Sequence, residues 1–398
     1  MQEVSHRISN LSESQTIAMA QKSRELKNKG IDIINLSLGE PDFNTPDFIK
    51  EAAKKAIDEN FTTYTPVSGY QELREAISHK FKRDNGLDYD IDQIVVSTGA
   101  KQSLANVILS LVNPGDEVII PTPYWVSYLE LVKLAEGIPV FIEGSLENDF
   151  KITAQQLKEN ITSKTKLMLY SSPCNPSGSI YSKEELEKLA AVIQEKKDFY
   201  VIADEIYEHI NFIGKHESLA QFPSVYDQVI TVNGLSKGFA MTGWRLGYIG
   251  APKWIAKACD KMQGQITSGT NSITQRAAIT ALEADPEKVT KTMNEAFKKR
   301  RDLVVAGLKE IEGLKVNEPE GAFYVFPDVT AFFGKKFNGK SIDNATDFCL
   351  FLLEQAEVAL VTGDAFGNPN CIRFSYATSE ATLSEALKRI KNALSLLN

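Results

Sequence analysis

Cysteine and histidine are scarce in this chain of 398 residues, which has four of each. Cys174, Cys259, Cys349 and Cys371 stand far apart with no CxxC pair, so neither a disulfide framework nor a zinc site is suggested. A reducing cytoplasm is the compartment this predicts. No apolar run reaches the roughly eighteen residues of a membrane span, and Met1-Gln2-Glu3-Val4-Ser5-His6-Arg7 lacks the apolar core of a signal peptide. The expectation is a soluble, unprocessed protein. Positive charge is short as well: 44 basic against 52 acidic residues leave a net charge of −8, which argues against nucleic acid or an anionic membrane as the main partner. The one basic run, Lys298-Lys299-Arg300-Arg301, lies in a helical pattern and reads as a solvated face. Repeats and low-complexity tracts are also absent.

What the chain does have is apolar mass, 43% of its residues, enough for a large core and about two or three domains. Residues 12 to 29 read as a helix, with Ser12 or Ser14 as candidate N-caps and Gly30 after its end. Ile33 to Leu36 is a short strand leading into Gly39-Glu40-Pro41-Asp42. Helices fit Pro46 to Asp58 and Tyr70 to Asp84, and the loop between them exposes Tyr64. From residue 94 onward strands alternate with helices, at Ile94–Ser97, Glu117–Ile120, Lys166–Tyr170, Phe199–Ala203, Val229–Val232 and Gly247–Ile249. That alternation predicts an α/β fold with a largely parallel sheet covered on both faces. Asp285 to Ile311 reads as one long amphipathic helix. Beyond it, short strands (Ala322–Phe326, Val358–Val361, Cys371–Ser375) mix with helices near Asn344–Gln355 and Ser379–Leu396.

Chemistry concentrates after the apolar strand Val229–Val232. The following stretch, Gly234-Leu235-Ser236-Lys237-Gly238-Phe239-Ala240-Met241-Thr242-Gly243-Trp244-Arg245-Leu246-Gly247, puts Lys237 past the carboxyl end of a strand, where open α/β sheets bind ligands. A lysine among glycines is also what a solvated turn looks like. Asp204 similarly follows Phe199–Ala203, either as a functional carboxylate or as the N-cap of a helix starting near Glu205. Ser97-Thr98-Gly99-Ala100-Lys101-Gln102 joins a strand to a helix, and its free amides with the helix dipole suit an anion.

Together these stretches resemble the class I and II pyridoxal-phosphate aminotransferases, in particular their bacterial-type aspartate aminotransferase subgroup. The likeness runs from Asn35-Leu36-Ser37-Leu38-Gly39-Glu40-Pro41 to Ile372-Arg373-Phe374-Ser375. It implies a fold type I architecture: a mostly parallel seven-stranded sheet in a large domain (46–290), and a smaller α/β domain from 1–45 and 291–398. It also implies that Lys237 holds pyridoxal 5′-phosphate as a Schiff base and, once released, moves the Cα proton. Asp204 would keep the pyridine nitrogen protonated, and Tyr207 and Asn175 would contact the phenolic oxygen. Trp125, in Pro121-Thr122-Pro123-Tyr124-Trp125, would stack on the ring. Gly99, Ala100, Lys101, Ser236 and Arg245 would hold the phosphate, with Tyr64 reaching in from a neighbouring subunit of a homodimer. By the same resemblance Asn175-Pro176 and Thr122-Pro123 would be cis.

For the substrate, Arg373 would clamp the α-carboxylate, a task suited to a bidentate guanidinium, and Gly39 would close over it. The stretch 263–271 contains no arginine of the kind one subgroup uses for dicarboxylic substrates. Lys101 and Thr16 stand instead where the bacterial-type subgroup places its side-chain carboxylate ligands. The implied reaction moves an amino group from an L-amino acid, aspartate first, to 2-oxoglutarate. Aromatic or prephenate transamination, or a lyase reaction on the same fold, remain the alternatives. A regulator of this fold would carry a DNA-binding module, and about 45 residues before the large domain leave no room for one.

Overall fold

The computed structural model describes residues 4–13 and 15–398. Seven strands form its main sheet: β1 (Ile94–Ser97), β2 (Glu117–Thr122), β3 (Ile138–Glu143), β4 (Thr165–Ser171), β5 (Tyr200–Asp204), β6 (Val229–Gly234) and β7 (Gly247–Gly250). Their spatial order is β1-β7-β6-β5-β4-β2-β3. Only β7 is reversed; it pairs antiparallel with both β1 and β6, so the other six strands run the same way. Six of these strands are legible in the sequence, and β3 is not. Pro139 and the terminal Glu143 mask it, and such a segment fits only an edge, where a missing ladder donor costs little.

The central strands are continuous apolar runs because both of their faces are covered. Successive side chains point to opposite faces, which divides each strand between two cores. Ile119, Met168, Val201 and Val229 enter one core, whereas Val118, Leu167, Ile202 and Ile230 enter the other. A third core gathers Ile34, Leu36, Phe297, Val304, Phe323, Tyr324, Leu352, Val358 and Phe374. It is built on the helix Pro286–Lys309, on the pairing of Ile34–Asn35 with Val358–Ala359, and on a small antiparallel sheet of β8 (Tyr324–Val325), β9 (Val361–Thr362) and β10 (Ile372–Ser375).

Several expectations need correction. The first long helix, α1, spans Gln15–Asn28, so Ser12 lies too far upstream to cap it; the Ser12 amide instead donates to Glu130. The other candidate cap, Ser14, lies outside the described residues, as do Met1, Gln2 and Glu3 of the N-terminal segment. Tyr70–Asp84 is helical as expected, but only Gln71–Lys80 is α-helix; Phe81–Asn85 continues it as a π-helix. The basic run is not one solvated face. Four consecutive residues sweep most of a helical turn, so the long helix, α2 (Pro286–Lys309), turns Arg300 onto Asp42 and Phe43, and Arg301, 8% exposed, onto the carbonyl of Pro319. Among the described residues, no helix is long and apolar enough to cross a membrane.

Candidate active site

Six strands running one way bring their carboxyl ends to one edge of the sheet, and five of those ends carry the residues singled out in the sequence. Ser171, Asp204 and Val232 are in register across β4, β5 and β6, which sets Lys237, three residues past β6, beside Asp204. Gly99 follows β1, Trp125 follows β2 and Asn175 follows β4. Two segments from the third core close the opposite side: the loop of Ser37 to Glu40, and β10 with Arg373. The enclosed cleft is ≈ 770 Å³, within the range typical of small-molecule sites.

Thr16, Gly39, Ala100, Lys101, Trp125, Asn175, Asp204, Tyr207, Ser236, Lys237, Arg245 and Arg373 all line it. Gly99 lies just behind the lining. With φ +84° and a hypothetical Cβ only 2.4 Å from Arg245 Nη2, it is a position only glycine fits. Tyr64 is 99% exposed and outside the cleft of its own chain. Thr122-Pro123 and Asn175-Pro176 are cis, as is Ser172-Pro173.

The lysine is tuned by its surroundings. Burial pulls the Lys237 ammonium down to about 8, opposed by Glu40 and reinforced by Arg373 and Arg245, so a neutral amine is accessible near neutral pH. Its Nζ donates to the Gly39 carbonyl at 2.5 Å. Asp204 is no helix cap, because residues 206–209 form a turn; its Oδ1 accepts only the Ile206 amide, at 3.3 Å. Burial raises the Asp204 carboxyl to about 6, although Tyr128 donates to its Oδ2 at 2.7 Å and pulls the other way. Burial outweighs the lowering pull of the Lys237 ammonium, and a protonated pyridine nitrogen against the carboxylate would supply the stronger cationic partner.

The anion end lies at the helix Ala100–Leu111. The amides of Ala100 and Lys101 begin this helix and have no carbonyl one turn back to bond. Arg245 and Ser236 flank them. Lys101 Nζ rides over the Trp125 ring at 5.0 Å, and burial followed by Arg245 depresses its ammonium. At the far end Arg373 is 2% exposed. It bonds the Ser37 carbonyl at 2.6 Å and Asn175 Oδ1 at 3.1 Å, while its Nε has no partner among the described residues. A buried guanidinium with an idle N–H is poised for an oxyanion. Thr16 Oγ1 is a buried atom likewise without a partner among the described residues. The orphaned Arg373 Nε, the cation-seeking Asp204 and the amide cradle under Arg245 together fit the chemistry of pyridoxal phosphate with an amino acid.

Sequence reasoning missed two tyrosines. Tyr128 stands one helical turn after Trp125, packs edge-on against it at 5.7 Å and holds Asp204, so the Trp125-x-x-Tyr128 spacing was its only signal. Tyr324 places its hydroxyl 2.9 Å from that of Tyr207, across 117 residues of sequence. A second cavity, ≈ 870 Å³, lies against Glu208, His209 and His216. The adjoining cluster of Glu205, Glu208 and His216 is compensated internally by Lys80, Asn85 and Ser218, as a structural ion network.

Comparison with known proteins places this geometry. Residues 31–390 match the family model described as aminotransferase class I and II. A Petunia hybrida protein named bifunctional aspartate aminotransferase and glutamate/aspartate-prephenate aminotransferase is 48% identical, covering 98% of this chain and 82% of the relative. A probable aspartate/prephenate aminotransferase of Rhizobium leguminosarum bv. phaseoli is 47% identical over 96% of each chain. The crystal structure of the aspartate aminotransferase from Rhizobium meliloti superposes with a TM-score of 0.97 at 44% identity over 100% of both chains. That of Thermus thermophilus, with maleate, gives 0.92 at 40%, covering 99% of this chain and 100% of the other. With a family model spanning most of its length and relatives this similar end to end, the chain belongs to the class I and II aminotransferases.

Proposed function

We propose that the protein is a pyridoxal-phosphate-dependent aminotransferase that moves the amino group of an L-amino acid, aspartate first, to 2-oxoglutarate. The convergence of Lys237, Asp204 and the half-satisfied Arg373 on one cleft is the observation that carries this. When bound, pyridoxal phosphate supplies an electron sink for the charge left at Cα. Lys237 holds the coenzyme and moves the proton, Asp204 keeps the pyridine nitrogen charged, and Tyr207 and Asn175 serve the phenolic oxygen. Trp125 covers the ring. Gly99, Ala100, Lys101, Ser236 and Arg245 receive the phosphate. Arg373 takes the α-carboxylate under Gly39, and Lys101 with Thr16 takes the side-chain carboxylate.

The fully exposed Tyr64 supports a homodimer in which it completes the partner's site. The third core, which draws chiefly on Ile34, Leu36 and residues from Met293 to Leu394, supports a division into 46–290 and 1–45 with 291–398, and four free cysteines suit a reducing cytoplasm. Prephenate or aromatic substrates are a second reading, favoured by Ile17 and Leu38, exposed apolar side chains that line the cleft mouth.

Purified protein assayed with a panel of amino donors and 2-oxoglutarate should favour aspartate, and Lys237→Ala should lose both turnover and the borohydride-reducible link to the coenzyme. Product formation that needs no oxo acid would instead establish a lyase.

A further inference from the structure

Tyr324 is fully buried on β8, and three groups of the cleft meet on its side chain. Its hydroxyl lies 2.9 Å from that of Tyr207. Its ring carries the Arg373 guanidinium at 4.6 Å. A Cβ on Gly39 would stand 2.7 Å from its hydroxyl oxygen, so the Gly39 backbone is pressed against it. Tyr207 and Tyr324 are far apart in the chain, one past β5 and the other on β8, yet they share the third core, and both are buried.

Two facing hydroxyls share a single hydrogen along the line between them. Once an acceptor in the cleft takes the Tyr207 hydrogen, the direction is decided: Tyr324 must donate into the Tyr207 oxygen. A hydroxyl that accepts one hydrogen bond donates the next more strongly. We propose that Tyr324 is a positioning residue that fixes Tyr207 as a donor toward the coenzyme's phenolic oxygen and ties that donation to Arg373, the receiver of the substrate carboxylate. This rests on pyridoxal phosphate occupying the cleft. The charges facing Lys237 are Glu40, Arg373, Arg245 and Asp204. Tyr324→Phe changes none of them and keeps a ring under Arg373, so its effect isolates the hydroxyl.

The visible absorbance of the coenzyme–Lys237 linkage, titrated against pH, is the readout. A donor to the phenolic oxygen favours the deprotonated linkage, so Tyr324→Phe should raise the midpoint by about half to one pH unit. Tyr207→Phe should raise it further, and adding Tyr324→Phe to Tyr207→Phe should change nothing more. Gly39→Ala, which crowds the hydroxyl without deleting it, should move the midpoint in the same direction as Tyr324→Phe. Tyr376→Phe removes another buried hydroxyl, one that bonds the Ala322 carbonyl at 3.4 Å, and should titrate as wild type. Saturating succinate should shift the wild-type midpoint more than that of Tyr324→Phe. An unshifted Tyr324→Phe, or independent shifts that add in the double variant, would overturn the positioning role; equal responses to succinate would overturn the tie to Arg373. A wild-type protein that stays colourless with pyridoxal phosphate would overturn the coenzyme reading itself, a result distinct from any of these.

Discussion

Replacing Asp204 by asparagine should make the coenzyme-free protein more stable, although the same change cripples the enzyme. Asp204 is 5% exposed, and its carboxyl is raised from 3.8 to about 6. Over that interval the folded protein keeps a proton that the unfolded chain has released. Stability is therefore fully present below about pH 4, falls as pH rises toward 6, and stays lowered above it. At about 1.4 kcal/mol per pKa unit, the buried carboxylate costs about 3 kcal/mol at pH 8. Asparagine has nearly the same shape, its oxygen still accepts from Tyr128, and it carries no charge. Urea unfolding of coenzyme-free protein, at fixed protein concentration and pH 4, 6 and 8, should thus show Asp204→Asn gaining up to about 3 kcal/mol at pH 8 and nothing at pH 4. With pyridoxal phosphate bound the order should invert, because the pyridinium pairs with the carboxylate and not with the amide. A stability difference that is flat across pH, or a variant weaker than wild type at pH 8, would refute the assignment of Asp204 as a carboxylate awaiting a cation.

Lys101→Ser should lower kcat/KM for aspartate by roughly ten- to a hundredfold while sparing alanine and phenylalanine, since an ammonium–carboxylate hydrogen bond contributes about 1.5 to 3 kcal/mol. An equal loss for all donors would show Lys101 serving the coenzyme alone. Tyr128→Phe removes the one side-chain donor to Asp204 among the described residues and should weaken coenzyme binding roughly tenfold, measured by fluorescence titration; unchanged affinity would leave Tyr128 as packing for Trp125. Gly99→Ala sets a Cβ 2.4 Å from Arg245 Nη2 at a left-handed backbone position, so the coenzyme dissociation constant should rise about tenfold, and a retained affinity would contradict the cradle.

The parts of this fold legible in the sequence are those whose signal is local. Val229–Val232 and Phe199–Ala203 read as strands because burial on both faces leaves a nearly unbroken apolar run, and Lys237 and Asp204 stand out because they follow such runs at their carboxyl ends. The edge strand Ile138–Glu143, half exposed and broken by Pro139, offers no such run. Tyr324 was hidden for a different reason. On a two-residue strand it looks like any aromatic core residue, and only tertiary contact with Tyr207 and Arg373 distinguishes it. The basic run at 298–301 shows the converse error, in which charge suggests solvent although Arg300 and Arg301 are covered by Phe43 and Pro319.

The pairing of Ile34–Asn35 with Val358–Ala359 gives the protein a particular schedule for its own making. These strands meet across 324 residues of chain, from 34 to 358. At a synthesis rate of about 5 to 20 residues per second, Ile33, Ile34 and Leu36 wait roughly 16 to 65 seconds for their cover after leaving the ribosome. Lys237 and Asp204 are made long before, within a sheet that needs nothing beyond residue 250 for its strands. A nascent chain stalled at residue 340 would accordingly possess a nearly complete coenzyme pocket, while the arginine that admits a substrate had yet to be synthesised. The apolar N-terminal strand would meanwhile be a natural hold for a chaperone, released when β10 arrives and the Ser375 amide bonds the Leu36 carbonyl.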